Sequence, residues 1–510
     1  MRNSVDFSGR PFHFIGIGGI GMSALAYVIA KRHLPVSGSD IRSSHITERL
    51  ETVGAHVFVG QDAAHLEFFQ PASETVCETL PTTARESSNS QGISSISPKL
   101  EGRLSTAKSL KYLPQVICST AINPANSELH AALEKGCPIF HRSDLLAALI
   151  QDYESIAVAG THGKTTTSSL IGYMLIQAGL DPTIVVGGEV NAWGGNARLG
   201  QSPYLVAEAD ESDGSLVKLS AAIGVITNIE LDHPDHYDSL EEVVTTFEVF
   251  ASHCQTLVGC IDCEVVRDRI QPAISYSLKG ETQADYTVDE VTYSSEGTSA
   301  RVWEQGKILG QMNLKLLGQH NLSNALAAVA VGRKLGLDFQ AIAAAIATFE
   351  GARRRFELRG QYNDICFVDD YAHHPSELRA TIGAARLQVQ APRRLVAIFQ
   401  PHRYSRTLAF LPEFAQSFED ADIVVLSEIY SAGEPDLGQI TSQQVADLIA
   451  THHPKVYYQP TLPSISALLT EILRPGDLAL FLGAGNLNQI IPEVMAFYQN
   501  TDSNLSQVMS

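Results

Sequence analysis

Gly160-Thr161-His162-Gly163-Lys164-Thr165-Thr166-Thr167 follows the apolar run Ser155 to Ala159. It opens a segment whose Leu170, Ile171, Met174 and Leu175 fall on one helical face before Gly179. The order is strand, glycine loop, helix. Such a loop leaves backbone N–H groups unpaired at a helix N-terminus, where the helix dipole also favours negative charge, so the stretch suits phosphate. In this pattern Lys164 reaches the β/γ-phosphates and the Thr165 hydroxyl holds Mg²⁺. The front of the loop is short, with Val158 where the nucleotide-loop pattern wants glycine. The competing reading is an ordinary βα turn; the strand before and the helix after weigh against it.

At 510 residues the chain exceeds one core, and about 150 residues per domain suggests three domains. A hydrophobic fraction of 44% and a charged fraction of 18% describe an ordinary globular protein. The formal net charge of −20 argues against nucleic acid as a partner, because phosphate backbones are met by basic surfaces. Negative substrates then need local positive clusters. The first apolar run, Phe12 to Met22, is interrupted by glycines and does not resemble a leader peptide. No uninterrupted apolar stretch is long enough to span a bilayer. The expectation is a cytoplasmic protein without a membrane segment. Seven scattered cysteines do not make a disulfide framework. Cys260 and Cys263 have a metal-like spacing, but a structural zinc site wants a second pair, and both read better as small buried hydrophobes.

Ahead of the phosphate loop, Phe12 to Ile15 reads as a buried strand, and Gly16, Gly18 and Gly21 fit G-x-G-x-x-G before a helical run from Met22 to Lys31. Val36 to Asp40 forms the next strand, ending in an acid about 20 residues on, the offset at which a carboxylate meets a ribose hydroxyl. The physics asks only for a pyrophosphate on a helix N-terminus, so UDP-type ligands satisfy it as well as NAD. Residues 71–111 dissolve into Ser, Thr, Pro and Glu and read as a disordered insertion. Strand character returns at Val116 to Cys118, before Ser119 and Thr120.

In the middle of the chain, Tyr204 to Ala207 runs into Glu208-Ala209-Asp210-Glu211-Ser212-Asp213. Carboxylates at the end of a buried parallel strand are where a nucleotide-hydrolysing fold holds Mg²⁺. A further strand, Ile223 to Thr227, leads to Asp232 and His233 at the same edge. Gly318 to Asn324 opens an alanine-rich helix on which His320 and Asn324 share a face. After Gly351 comes the basic run Arg353-Arg354-Arg355, and then strands at Cys366 to Val368, Leu395 to Gln400, Ile423 to Leu426 and Leu478 to Leu482. Polar runs follow these strands, including Asp369 to Pro375 and Pro401 to Arg406. This is the ligand edge of another doubly wound sheet. Arg403 and Arg406 are charges an anionic substrate needs in so acidic a chain.

Taken together and in order, Gly16 to Met22, Gly160 to Thr167, Glu208 to Asp213, Asp232-His233, His320 to Asn324, Asp369 to Pro375 and Pro401 to Arg406 resemble the Mur ligases. The resemblance runs from about Phe12 to Asn488. It implies an α/β chain of three domains: a Rossmann-like N-terminal domain over residues 1–151, a central P-loop ATPase-type parallel sheet over 152–351, and a C-terminal Rossmann-like α/β domain over 352–510.

By similarity, Gly16, Gly18, Gly19, Gly21, Asp40, Ser119 and Thr120 bind the UDP substrate. Gly160, Thr161, His162, Gly163, Lys164, Thr165, Thr166, His320 and Asn324 bind ATP. Thr165, Glu208 and His233 hold metal, with two Mg²⁺ ions expected. Lys164, His233 and Arg403 are the implied catalytic residues, and His374, His402 and Arg406 are further substrate candidates. Some relatives use a carbamoylated lysine at the second metal; Lys218 is the nearest lysine after the acidic run and is not assigned to that role.

The implied chemistry is amide formation. ATP phosphorylates the carboxylate of UDP-N-acetylmuramic acid, and the unprotonated amine of L-alanine attacks the acyl phosphate through a tetrahedral intermediate. Such transfer needs positioning and charge neutralisation more than a protein nucleophile. Tyr371 and the run Ile229 to Asp235 favour L-alanine addition over tripeptide recycling onto the same sugar. A nicotinamide dehydrogenase accounts for Gly16 to Asp40 but leaves the second phosphate loop without work. A nucleotide-gated switch leaves Glu208 and His233 unexplained.

Overall fold

Apolar runs of four to six residues, each ended by glycine or a polar turn, become the strands of three sheets in a computed structural model that describes residues 4–69, 113–280 and 283–508. The expected insertion at 71–111 lies outside the described residues. The chain divides into two compact units, one ending at Ala148 and the other beginning at Leu149, with the second holding two of the sheets.

The first unit is a five-stranded sheet in the order His56–Val59, Val36–Asp40, Phe12–Ile15, Gln115–Cys118, Ile139–His141, parallel throughout. The strand order reverses at Phe12–Ile15. The loops after this strand and after Gln115–Cys118 therefore leave in opposite directions and open a crevice at the carboxyl edge. Helix Ile20–Lys31 buries Met22, Leu25, Val28 and Ile29 against the sheet. Gly38 permits the close strand contact, since a Cβ there would lie 2.6 Å from the Phe14 carbonyl oxygen.

Behind this edge lies a buried polar knot. Glu128, fully buried on helix Ser127–Glu134, shares a 2.7 Å hydrogen bond with His65 Nδ1, accepts the Ser39 hydroxyl, and lies 3.4 Å from His13 Nε2. His13 Nδ1 meets the Ser37 hydroxyl at 2.8 Å. Burial opposes the Glu128 charge, but the His13, Ser39 and His65 contacts outweigh it and lower the carboxyl pKa below 4.5.

In the second unit the larger sheet has ten strands, ordered Lys307–Leu314, Gly297–Glu304, Tyr286–Ser294, Ile274–Tyr276, Thr256–Cys260, Ile223–Ile226, Glu154–Ala159, Tyr204–Glu208, Thr183–Val190, Gly195–Arg198. Neighbours from Tyr286–Ser294 to Thr183–Val190 pair in parallel, and antiparallel strands extend both edges. Glu154–Ala159 lies inside this sheet with its last five residues buried, as a continuous apolar strand should. Helix Lys164–Gln177 packs its Leu170, Ile171, Met174 and Leu175 into the same core as Leu322, Leu326 and Val329 of helix Gln319–Lys334. Small residues bring the two helices close: a Cβ on Gly332 would lie 3.0 Å from Met174 Sδ.

The remaining sheet runs Glu357–Tyr362, Ile365–Asp370, Leu478–Leu482, Leu395–Phe399, Ile423–Leu426, Val456–Tyr458. Its first pair is antiparallel and the others parallel. Alternate residues fill two cores: Leu395, Ala397 and Phe399 one face, Val396 and Ile398 the other. That is the period of two expected of a sheet covered on both sides.

Cys260 is buried at a strand end, while Cys263 Sγ accepts the Ile229 N–H at 3.5 Å. Neither belongs to a metal-ligand cluster among the described residues.

Replacing Glu128 by Gln is expected to destabilise the first unit by about 3 kcal/mol at neutral pH, the cost of breaking a buried charged network. A depressed carboxylate contributes stability above its unfolded pKa of 4.5 and loses it as pH falls through the folded value. The wild-type advantage in urea unfolding should therefore be constant above pH 4.5 and shrink below it.

Candidate active site

The phosphate loop is held from the side by the turn after strand Ile223–Ile226. Thr161 N–H donates to the Asn228 carbonyl at 3.0 Å, and His162 N–H donates to Asn228 Oδ1 at 2.9 Å. The Thr227 hydroxyl and the Asn228 amide both donate to the His162 carbonyl, at 2.6 and 3.0 Å. Gly160, at φ 138°, sits so close to this turn that a Cβ would fall 1.9 Å from Thr227 Oγ1. Two N–H groups of the loop are thus already used. The first turn of helix Lys164–Gln177 supplies the orphan donors that face an anion.

Lys164 Nζ donates to the carbonyls of Gly160 and Thr161, at 2.7 and 3.1 Å, and to Glu211 Oε1 at 2.9 Å. Glu211 is buried and its Oε2 has no hydrogen-bond partner. Burial raises the Glu211 pKa, Lys164 opposes the rise, and the result is a value pushed up to about 7. The sequence run Glu208 to Asp213 pointed to this strand end, but Glu211 rather than Glu208 meets the lysine.

Glu208 Oε2 accepts the Gly187 N–H at 2.7 Å. A Cβ on Gly187 would lie 2.4 Å from Glu208 Oε1, and one on Gly188 would lie 2.9 Å from Thr165 Cγ2. This glycine pair lets strand Thr183–Val190 touch both Thr165 and Glu208, two of the expected metal ligands. The third, His233, has a positive φ of 55° and places Nε2 3.9 Å from Glu211 Oε1 and 3.7 Å from Asp232 Oδ2. The Thr165 hydroxyl, the Glu208 carboxylate and the unpartnered Glu211 oxygen are the hard oxygen donors that Mg²⁺ favours, and His233 adds a nitrogen near Glu211.

Arg406 is not a free receptor for an anionic substrate. It is buried, and its Nε donates to Asp232 Oδ1 at 2.8 Å, with His402 Nδ1 and His233 Nδ1 at 3.3 and 3.5 Å. Asp232 is correspondingly held far below the usual carboxylate range: burial opposes the charge, and Arg406 more than offsets it. Arg403, at φ 69°, donates to Asp235 at 2.6 Å and to Glu434 at 3.3 Å. The arginine that reaches the phosphate loop is Arg355, whose Nη2 donates to Thr165 Oγ1 at 3.4 Å. The basic run after Gly351 carried that signal without distinguishing its three members.

A cavity of about 240 Å³ opens beside the loop, lined by His162, Gly163, Thr166, His320, Asn324 and Arg355 among others. Asn324 accepts the Thr167 hydroxyl at 3.1 Å, and a Cβ on Gly163 would lie 2.5 Å from its Oδ1. His320 and Asn324 therefore flank the expected nucleotide position. His374 begins helix Pro375–Arg386, its Nδ1 accepting the Ser376 N–H at 3.3 Å, and its ring lies 4.7 Å from that of His162. Burial and the neighbouring His162 push its pKa down to about 4. His402 stacks on Tyr430 and is likewise lowered by burial.

In the first unit, Gly18 N–H donates to Asp40 Oδ2 at 2.8 Å, so one carboxylate oxygen already holds the glycine loop. Gly16, at φ 78°, comes within 3.2 Å of Ile122 Cδ1, measured from an ideal Cβ. Ser119 and Thr120 follow strand Gln115–Cys118, next to the loop that carries Gly16, Gly18, Gly19 and Gly21. Arg142, absent from the sequence reading, places Nη1 3.6 Å from the Cβ position of Gly21.

Three family models match in succession: the Mur ligase family catalytic domain over residues 11–154, the Mur ligase middle domain over 158–332, and the Mur ligase glutamate ligase domain over 354–485. A UDP-N-acetylmuramate–L-alanine ligase of Nostoc punctiforme is 67% identical over 98% of both chains. The chain belongs to the Mur ligase family. Another relative with that name, from Synechococcus elongatus, is 59% identical and also covers 98% of each chain. Among solved Mur ligase structures, the UDP-N-acetylmuramate-alanine ligase of Thermotoga maritima matches with a TM-score of 0.76 at 26% identity, covering 96% of this chain and all of its own.

Substituting Arg406 by Met should lower stability by roughly 3–5 kcal/mol, because Asp232 is left as an uncompensated buried charge. The double substitution Arg406→Met with Asp232→Leu should recover most of the loss in urea unfolding.

Proposed function

We propose that this Mur ligase joins L-alanine to the carboxylate of UDP-N-acetylmuramic acid, converting ATP to ADP and phosphate. The observation that carries the reading is the 67% identity, along 98% of both chains, to a relative named for that reaction. A phosphate loop with its lysine already in place supports it. In this reading residues 1–151 hold the UDP portion, 152–351 hold ATP, and 352–510 add substrate and phosphate contacts.

The helix N-terminus at Lys164 and the lysine ammonium bind the phosphates, with nucleotide oxygens replacing Glu211 as the third partner of Nζ. Thr165, Glu208 and His233 would hold Mg²⁺, two ions in all, which neutralises charge on the transferring phosphoryl group when bound. Arg355 adds a second positive group at Thr165. The acceptor carboxylate attacks the γ-phosphorus, the bond to ADP breaks, and an acyl phosphate results. The unprotonated amine of L-alanine then adds to the acyl carbon. Collapse of the tetrahedral intermediate expels phosphate, which carries one oxygen of the original carboxylate. Every element of this route positions groups or stabilises charge, and none requires a covalent enzyme intermediate. Cytoplasmic residence belongs to the same reading; among the described residues no helix is long and apolar enough to cross a membrane.

With ATP and UDP-N-acetylmuramate held constant, L-alanine, glycine, L-serine and the recycled tripeptide can be offered in turn, with mass detection of the adduct. L-Alanine should give the highest kcat/KM; a tripeptide preference would make the chain a recycling ligase instead. Lys164→Ala should still fold, though less stable by several kcal/mol because buried Glu211 loses its partner, and should lose roughly 10²–10³-fold or more in kcat, the scale for removing a donor to transition-state charge. Ordinary turnover by the folded variant would refute its role.

A further inference from the structure

Apart from Thr165, Glu208 and His233, a second group of ligating side chains stands beside the cavity at the phosphate loop. Atoms of His162, Glu230 and His374 lie within 4.8 Å of one another. His162 comes from the phosphate loop, Glu230 from the run after strand Ile223–Ile226, and His374 from the cap of helix Pro375–Arg386. His374 is only 4% exposed, its Nδ1 takes the Ser376 N–H, and its Nε2 has no hydrogen-bond partner. Both ring nitrogens of His162 are buried without a hydrogen-bond partner as well, with Glu230 Oε2 3.5 Å and Glu377 Oε1 3.4 Å away. His162 thus faces a carboxylate on each ring nitrogen, and the buried imidazole nitrogen left here without any counterpart among the described residues is His374 Nε2, a costly arrangement unless something binds it.

We propose that His162, Glu230 and His374 bind an imidazole-preferring divalent cation of the zinc class, fastening the phosphate loop to the cap of helix Pro375–Arg386. Two imidazoles and a carboxylate are a zinc donor set, whereas magnesium favours oxygen ligands. Tetrahedral zinc with donors at about 2.1 Å sets them about 3.4 Å apart. The 3.5 Å separation of His162 and Glu230 already meets this, and the His374 ligand atom lies within 4.8 Å of both. Glu230 is steadied by the Ser376 hydroxyl, which donates to its Oε2 at 2.7 Å, the kind of outer contact that orients a ligand. A fourth position is left for water or an oxygen of a bound molecule. Because His162 and Glu230 also line the cavity beside the phosphate loop, an ion here borders that cavity. The assignment does not depend on which amine the enzyme uses.

Cobalt(II) is the probe, titrated into the full chain without Mg²⁺ or nucleotide while visible absorption is recorded. A saturable band of tetrahedral intensity is expected, displaced by Zn²⁺ but not by excess Mg²⁺. It should be retained in His233→Ala and lost in His374→Ala, with cobalt affinity weakened by roughly 100-fold, the upper scale for perturbing a ligand shell. Glu230→Gln should behave like His374→Ala and carries the test if that variant fails to fold, as judged by circular dichroism. A band lost in His233→Ala but kept in His374→Ala would place the ion with Thr165 and Glu208 and overturn the proposal. So would the absence of any tetrahedral band.

Discussion

A largely enclosed ammonium constrains the working edge of the second unit. Lys164 has three N–H donors and three acceptors, two of them carbonyls of its own loop and the third the buried carboxylate of Glu211. Leaving either charge alone in that position would cost several kcal/mol. The loop must therefore curl back over Nζ, and the run after strand Tyr204–Glu208 must deliver Glu211 to the same point. Asn228 and Thr227 fix the curl by occupying the polar groups of Thr161 and His162. What remains free is the first helical turn, so the same packing that satisfies the lysine aims the unpaired donors outward.

Around that centre charge pairs and hydrogen bonds join the two sheets of the second unit. Asp232 pairs with Arg406, Asp235 with Arg403, Glu230 accepts Ser376, and Thr165 accepts Arg355. Each contact takes one residue from the central part of the chain, in loops or the first turn of helix Lys164–Gln177, and one from the C-terminal part. In a chain with a formal net charge of −20, such pairing sets positive side chains against the carboxylates of this edge. Arg403 and Arg406 pair with carboxylates away from the phosphate-binding turn, whereas Lys164 and Arg355, themselves near Glu211 and Glu377, contact the turn directly.

Much of this was legible in the chain because buried parallel strands are written as uninterrupted apolar runs with their functional residues at the carboxyl end. Phe12–Ile15, Glu154–Ala159, Tyr204–Glu208 and Leu478–Leu482 all follow that rule. The antiparallel strands Tyr286–Ser294, Gly297–Glu304 and Lys307–Leu314 did not announce themselves, since their alternating and partly exposed faces dilute the apolar signal. Thr183–Val190 was hidden by Gly187 and Gly188, which weaken a strand pattern yet give Glu208 and Thr165 room. Glu211, Asn228 and Arg355 each stand beside residues of the same type or in ordinary turns; only packing selects them. The roles expected of Arg403 and Arg406 overlooked the carboxylates that a distant segment brings to them.

Oxygen tracing tests the central claim, that the loop around Lys164 activates a carboxylate by phosphoryl transfer. UDP-N-acetylmuramate labelled with ¹⁸O in its lactyl carboxylate is turned over with ATP and L-alanine, and the released phosphate is weighed by mass spectrometry. The account predicts one labelled oxygen in each phosphate formed from doubly labelled carboxylate, because the acyl–oxygen bond breaks when the amine displaces phosphate. Amide formation accompanied by unlabelled phosphate would contradict it.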